Sequence, residues 1–161
     1  MTDTDTSRGR IHSLNISKGG VPKRTIERVP VTRLGLVGDK HNNTRLHGGP
    51  ERAVCLYSVE LMRRLNAEGH NIAPGSLGEN VTLEGVDTTA LEPGDVLRLG
   101  PEVVLQISAY TTPCKKIAHN FAGGDYSRLS AKLHPGESRL YARVLAEGSL
   151  AVGDPVTTIG A

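Results

Sequence analysis

Cys114 is the residue whose chemistry is easiest to name. It follows Thr111-Thr112-Pro113 and precedes Lys115-Lys116. Thr-Pro predicts a helix start, with Thr112 as N-cap and Pro113 at the first helical position, so Cys114 falls in the first turn. Free N–H groups at a helix start and two neighbouring ammonium groups favour thiolate over thiol. A cysteine presented this way is a candidate nucleophile or sulfur carrier. The competing reading is a small buried residue, as most free cysteines are.

A second cluster is His47-Gly48-Gly49-Pro50, followed by Glu51-Arg52. Adjacent glycines let backbone amides approach a ligand closely, and turn amides form anion-binding nests. His47 could donate to a phosphate or an oxygen ligand. These residues end a long polar loop, 38–50, and a loop of that length inside a compact domain is often functional. The alternative is a tight turn whose histidine caps a strand. The six histidines and two cysteines show no close zinc-ligand spacing. Walker, dinucleotide-binding and G-x-S-x-G motifs are absent from the sequence.

The elements that must position these residues read mainly as strands: Arg10–Ser17, a second around Val29 and Val31 demoted to an edge by Pro30, Ala53–Tyr57, Val81–Leu83, Val96–Leu99, Val103–Tyr110, Leu140–Ala146 and Val156–Ile159. Ser58 predicts an N-cap for a helix through Leu61, Met62 and Leu65, stopped by Gly69. Short helices are expected from Cys114 to about Phe121 and from Asp125 to Pro135-Gly136. Gly94-Asp95 and Gly153-Asp154 echo each other ahead of strands and read as structural corners of a small barrel. The expected fold class is mostly β with short helices (α+β): a mostly antiparallel, partly closed β-barrel. Residues 1–8 read as a frayed tail and 9–161 as a single domain.

Composition narrows the function classes. Aromatic residues are 3% and there is no Trp, which argues against base-stacking platforms and hence nucleic acid. No apolar run approaches a membrane span, and the polar, acidic start is unlike a signal peptide. Two cysteines make no disulfide framework, so a cytoplasmic setting with reduced thiols is expected. Arg8 to Arg33 is basic and Glu79 to Glu102 acidic. The basic segment, with Lys115 and Lys116, could frame an anionic ligand, or be an unevenly charged solvated surface.

Several motifs in fixed order carry a resemblance: Ile16-Ser17-Lys18-Gly19-Gly20-Val21-Pro22-Lys23, Gly38-Asp39-Lys40, His47-Gly48-Gly49-Pro50-Glu51-Arg52-Ala53-Val54-Cys55-Leu56-Tyr57, Gly75-Ser76-Leu77-Gly78-Glu79-Asn80-Val81-Thr82, Gly94-Asp95 and Pro113-Cys114-Lys115-Lys116. From about Gly9 onward the chain resembles the MOSC domain family, named for the C-terminal domain of molybdenum cofactor sulfurases. It looks like the stand-alone bacterial type, which includes proteins that protect cells against N-hydroxylated bases. The resemblance implies a β-barrel of the MOSC type, molybdopterin/molybdenum cofactor as ligand, and Cys114 as catalytic residue, metal ligand or persulfide holder. By the same resemblance, His47, Gly48, Gly49, Arg52, Glu79, Asn80, Lys115, Lys116 and Lys23 would shape the cofactor pocket. Related stand-alone members often carry Arg three residues before the cysteine; this chain has Thr111. No pyridoxal phosphate is expected, because the domain that binds it in cofactor sulfurases has no room here.

The leading expectation is a protein that binds molybdenum cofactor or a related anionic sulfur- or metal-bearing ligand. It would act as a reductase of N-hydroxylated compounds with a partner electron donor, since no flavin, haem or iron–sulfur motif is visible. Two alternatives stay open: a molybdenum-independent persulfide or sulfur carrier, and a non-catalytic β-barrel binding module in which Cys114 is buried.

Overall fold

The structure is a computed structural model, and it describes residues 9–40 and 49–160. The chain builds β1 (Gly9–Ile16), β2 (Arg24–Ile26), β3 (Arg28–Thr32), β4 (Gly35–Leu36), β5 (Val54–Ser58), helix α1 (Val59–Ala67) and β6 (Val81–Glu84). It continues with β7 (Val96–Leu99), β8 (Val103–Tyr110), β9 (Leu140–Ala146), β10 (Gly148–Ala151) and β11 (Pro155–Gly160). The sheet order is β11-β7-β8-β9-β5-β6-β1-β2, and Gly9↔Val156 and Arg10↔Pro155 join β1 back to β11, leaving β2 as an appended strand on β1. The barrel is therefore closed. All its pairings are antiparallel except β5–β6, which α1 connects, as a parallel pair requires a crossover.

The Gly-Asp echo is a structural one. Asp95 Oδ2 accepts from the Glu92 N–H at 3.0 Å, and Asp154 Oδ2 from the Ala151 N–H at 2.9 Å. Each corner then grips a strand twice: Gly94 N–H to Ile107 O and Ile107 N–H to Asp95 O, and Gly153 N–H to Ile11 O and Ile11 N–H to Asp154 O. Gly94 and Gly153 take φ of 103° and 92°, which a side chain would disfavour.

Three expectations change. Pro30 lies on the middle strand, not an edge, of a small sheet ordered β10-β3-β4. Its carbonyl accepts from Val37 beyond the end of the two-residue β4, so the N–H it lacks would also have pointed past that strand. The segment after Cys114 is a short 3₁₀ helix, Lys115–Asn120, with Cys114 itself as N-cap in extended conformation (φ −138°). The helix expected after Asp125 is 3₁₀ only over Tyr126–Leu129. The N-cap expected for α1 is present: Ser58 Oγ accepts from the Leu61 N–H at 3.1 Å.

Apolar side chains form two clusters. Val54 and Leu56 belong to the cluster that fills the barrel, with Leu97, Leu99, Leu105 and Ile107. Tyr57 belongs to the other, with Leu61, Met62 and Leu65 of α1 and Ile117 and Phe121 beyond Cys114. Alternate residues of a strand face opposite ways. β5 is thus buried on both faces, and Cys55 shares the outward face with Tyr57.

Candidate functional site

The site lies over that outward face of β5. On one side of Cys55, Asn80 pairs with it twice: the Asn80 N–H donates to Cys55 O at 2.7 Å and Asn80 Oδ1 accepts from the Cys55 N–H at 3.0 Å. On the other side, Tyr141 is the cross-strand neighbour of Cys55. Cys55, Asn80 and Tyr141 all line a cleft of about 590 Å³, counting the part open to solvent. Cys114, Lys116 and Ile117 line it from the segment after β8, and Gly20, Val21 and Lys23 from the loop after β1. Lys40, Leu77, Gly78 and Arg139 complete it. No carboxylate lines the cleft among the described residues.

A buried polar frame fixes these segments. Asp39 accepts from Lys23 Nζ at 2.7 Å, from the Ser17 N–H at 2.9 Å and from Asn80 Nδ2 at 2.9 Å. The Lys23 and Asp39 side chains are 6% and 2% exposed, so this is a dry ion pair satisfied by further hydrogen bonds, the condition under which such a pair holds together. Lys40 follows, its N–H on Ser17 O at 2.8 Å. The Lys23 N–H donates to Gly75 O at 2.8 Å. A Cβ on Gly75 would sit 2.3 Å from Lys23 O, and its φ is +87°, so the loop can approach this closely only with glycine there.

Of the residues expected at the site, Lys23, Asn80, Cys114 and Lys116 meet in the cleft, while Glu79, Arg52, Gly49 and Lys115 do not line it. Glu79 faces inward: fully buried, it accepts through Oε2 from the Gly75 N–H at 2.9 Å and from Thr82 Oγ1 at 2.7 Å, bracing the loop. Burial pushes its carboxyl above the ordinary range against the pull of those bonds. Arg52 packs over the ring of Tyr141, which lines the cleft, 5.9 Å from its centroid. Gly49 caps the 3₁₀ turn Pro50–Arg52 that enters β5. Lys115 is exposed. His47 and Gly48 lie outside the described residues.

The two cysteines differ in setting. Cys114 is half-buried and Cys55 buried. Burial pushes the Cys55 thiol upward, opposed by the nearby Arg139 charge, so Cys55 is held as a neutral thiol. Sequence reasoning missed Arg139. It stands just before β9, after the polar Glu137-Ser138, and its pairing with the Thr111 N–H through Arg139 O, at 2.9 Å, brings it beside Cys114's segment. Lys40 was visible within a motif but had no role assigned; Tyr141 gave no signal in sequence.

A closed, mixed barrel with a cysteine in a cationic outer cleft is the class of protein that fold and site define. The family model for the MOSC domain matches residues 43–157, and the chain belongs to the MOSC domain family. It is 33% identical over 143 residues to the uncharacterized protein YflK of Bacillus subtilis, covering 83% of this chain and 60% of that one. It is 29% identical over 133 residues to protein YiiM of Escherichia coli, covering 80% and 58%. A fungal protein named reductase, from Gibberella moniliformis, matches at 28% identity over 78% of this chain and 22% of its own length. The chain thus spans about three-fifths of the two bacterial relatives. Among solved structures, YiiM from Geobacillus stearothermophilus superposes with a TM-score of 0.70 at 26% identity, over 94% of this chain and 75% of that one.

Proposed function

We propose that this MOSC-domain protein binds molybdenum cofactor, or a related anionic ligand bearing sulfur or metal, with Cys114 as its protein ligand. One observation carries the reading: a half-buried thiol in a cleft lined by Lys23, Lys40, Lys116 and Arg139 and by no carboxylate among the described residues. The donor set fits such a group. Among the described residues no cluster of His, Cys, Asp and Glu could hold a bare metal ion, whereas one soft thiol beside several cations suits a metal that arrives with its own anionic ligand. When bound, the cofactor would supply two-electron redox chemistry at the metal.

The protein's own contributions follow from its side chains. Cys114 ligates through sulfur, Lys116 and Lys40 offset ligand charge, and the Asp39 frame keeps Lys23 and Asn80 in place. Val21, Leu77 and Ile117 supply apolar contact that excludes water from part of the cleft. Reduction of N-hydroxylated compounds, with electrons from a partner protein, is the activity we assign, in line with the reductase named among the relatives. No helix among the described residues is long and apolar enough to cross a membrane, and a cytoplasmic setting with reduced thiols suits this chemistry.

The test is purification from a host that makes the cofactor, followed by metal analysis. The wild type should retain molybdenum and Cys114→Ser should lose it with the fold intact, because serine is nearly isosteric but lacks the soft sulfur. In the metal-free protein, a small alkylating agent should label Cys114 and spare Cys55. A Cys114→Ser protein with full cofactor-dependent activity sinks the reading. A persulfide mass on Cys114 without any metal would favour the sulfur-carrier alternative. The binding-module alternative expected a buried Cys114, and the residue is half-buried.

A further inference from the structure

The cations of the cleft are not equivalent. Lys23 is answered by Asp39, and Lys40 and Lys116 are exposed to water. Arg139 is 5% exposed, and no carboxylate lies within ion-pair distance of it among the described residues. A guanidinium cannot shed its proton to escape burial, and a buried charge without a counter-charge is costly. Two backbone carbonyls accept from it, Leu77 O at 2.7 Å and Thr112 O at 3.4 Å, while its Nε has no acceptor. Glu79 feels its field and its Oε1 has no hydrogen-bond partner, but that carboxyl lies beyond ion-pair distance of the guanidinium and its Oε2 is held by Gly75 and Thr82. A counter-charge at ion-pair distance can reach the guanidinium from the cleft that Arg139 lines.

We propose that Arg139 anchors an oxyanion group of the ligand, of phosphate type, beside Cys114, with Lys116 and Lys40 completing the anion's surroundings. The planar fork of arginine matches the oxygens of such a group better than an ammonium does. The same guanidinium ties the Leu77 loop to the Thr112 segment that carries Cys114, so an anion seated there also fixes the two walls relative to each other. Val21, Leu77 and Ile117 give the rest of the ligand an apolar surface. This deepens the reading above and shares its cleft, but it requires neither metal nor catalysis.

Calorimetric titration of the metal-free protein with inorganic phosphate and with phenyl phosphate, at low ionic strength, tests it. The wild type should bind both, and tighter binding of phenyl phosphate would mark the anion as part of a larger ligand; equal affinities would mark it as free phosphate. Arg139→Gln keeps an amide donor for the carbonyls but no charge, and should weaken both ligands about tenfold or more; Arg139→Lys should fall between. Binding to Arg139→Gln within about twofold of the wild type overturns the proposal, as does no wild-type binding up to about 10 mM. If Arg139→Gln fails to fold, melting decides. Phosphate must raise the wild-type Tm more than sodium chloride of equal ionic strength, and must raise that of Arg139→Lys less; equal rises overturn the assignment. Loss of molybdenum retention in Cys114→Ser is read separately, so failure of the metal reading and failure of this one are distinguishable.

Discussion

Thr111 and Arg139 are hydrogen-bonded neighbours one step beyond the last register pair of β8 and β9, Tyr110↔Leu140. Opposed residues of an antiparallel pair put their side chains on the same face, and these two are 2% and 5% exposed. Position 111 is where the family resemblance leads one to expect arginine. With Arg139 already present, a second guanidinium there would meet a like charge in a nearly dry place. Thr111→Arg should destabilise the fold by about 2–4 kcal/mol. Adding Arg139→Thr should recover part of that loss. Denaturant midpoints of the three proteins check it, and no recovery in the double variant would mean the two positions do not share a face.

The dry Lys23–Asp39 pair makes a separate prediction. Asp39→Ala leaves the Lys23 ammonium, the Ser17 N–H and Asn80 Nδ2 without that acceptor. Removing one partner of a buried pair typically costs about 3–5 kcal/mol. A loss of that size in urea unfolding, little changed by added salt, is expected. A loss below about 1 kcal/mol, erased by salt, would be the signature of an exposed pair instead.

Glu79 predicts a pH dependence. Its folded carboxyl titrates above the ordinary value of 4.5, chiefly because burial disfavours the charged form. The folded state therefore holds this proton more tightly than the unfolded state does. Its contribution is fully present below the unfolded pKa and is lost as pH rises from there through the raised folded pKa. Glu79→Gln cannot titrate, so its stability should gain on the wild type as pH rises across that window. Parallel stability profiles for the two proteins would contradict the raised value.

Two glycines offer a controlled comparison. Gly75 has positive φ and a Cβ position 2.3 Å from Lys23 O, whereas Gly94 has positive φ with nothing within 4 Å. Gly94→Ala should cost only the backbone strain, about 1 kcal/mol. Gly75→Ala must also push the loop off Lys23 and should cost at least about 2 kcal/mol. Similar melting temperatures for both variants would show that the close approach at Gly75 is relaxed cheaply.

Much of the barrel was legible because its strands alternate cleanly: β7, β8 and β9 fall at the bounds that periodicity predicts. β10 was not, since Gly148-Ser149-Leu150-Ala151 carries one apolar anchor and is ordered by pairing with β3. The three-residue β2 escaped notice too, its exposed residues giving no alternation. At the site, Cys114 was readable from its own neighbours, but its place at the N-cap of a 3₁₀ turn was not, because Thr-Pro signals a helix start without fixing the type of helix. Lys23, Asn80 and Lys116 entered through motifs. Arg139 is brought in by β-pairing from residues far away in sequence, which no local pattern encodes. Glu79 shows the reverse: a charged residue in a Gly-rich loop reads as ligand-facing, yet it does not line the cleft and its Oε2 braces its own turn.

The division of apolar side chains into two clusters has a consequence for how the cleft moves. The floor, Cys55 on β5, belongs to the wall of the barrel, whereas Ile117 and Leu77 hang on the cluster around α1. The groove is thus a seam between two packing units of unequal size. The smaller should open at lower free energy than the barrel unravels. In hydrogen exchange, amides of Ile117 and Phe121 should lose protection well before those of Leu105 and Ile107, so that the segment carrying Cys114 loosens while the strands behind it stay locked.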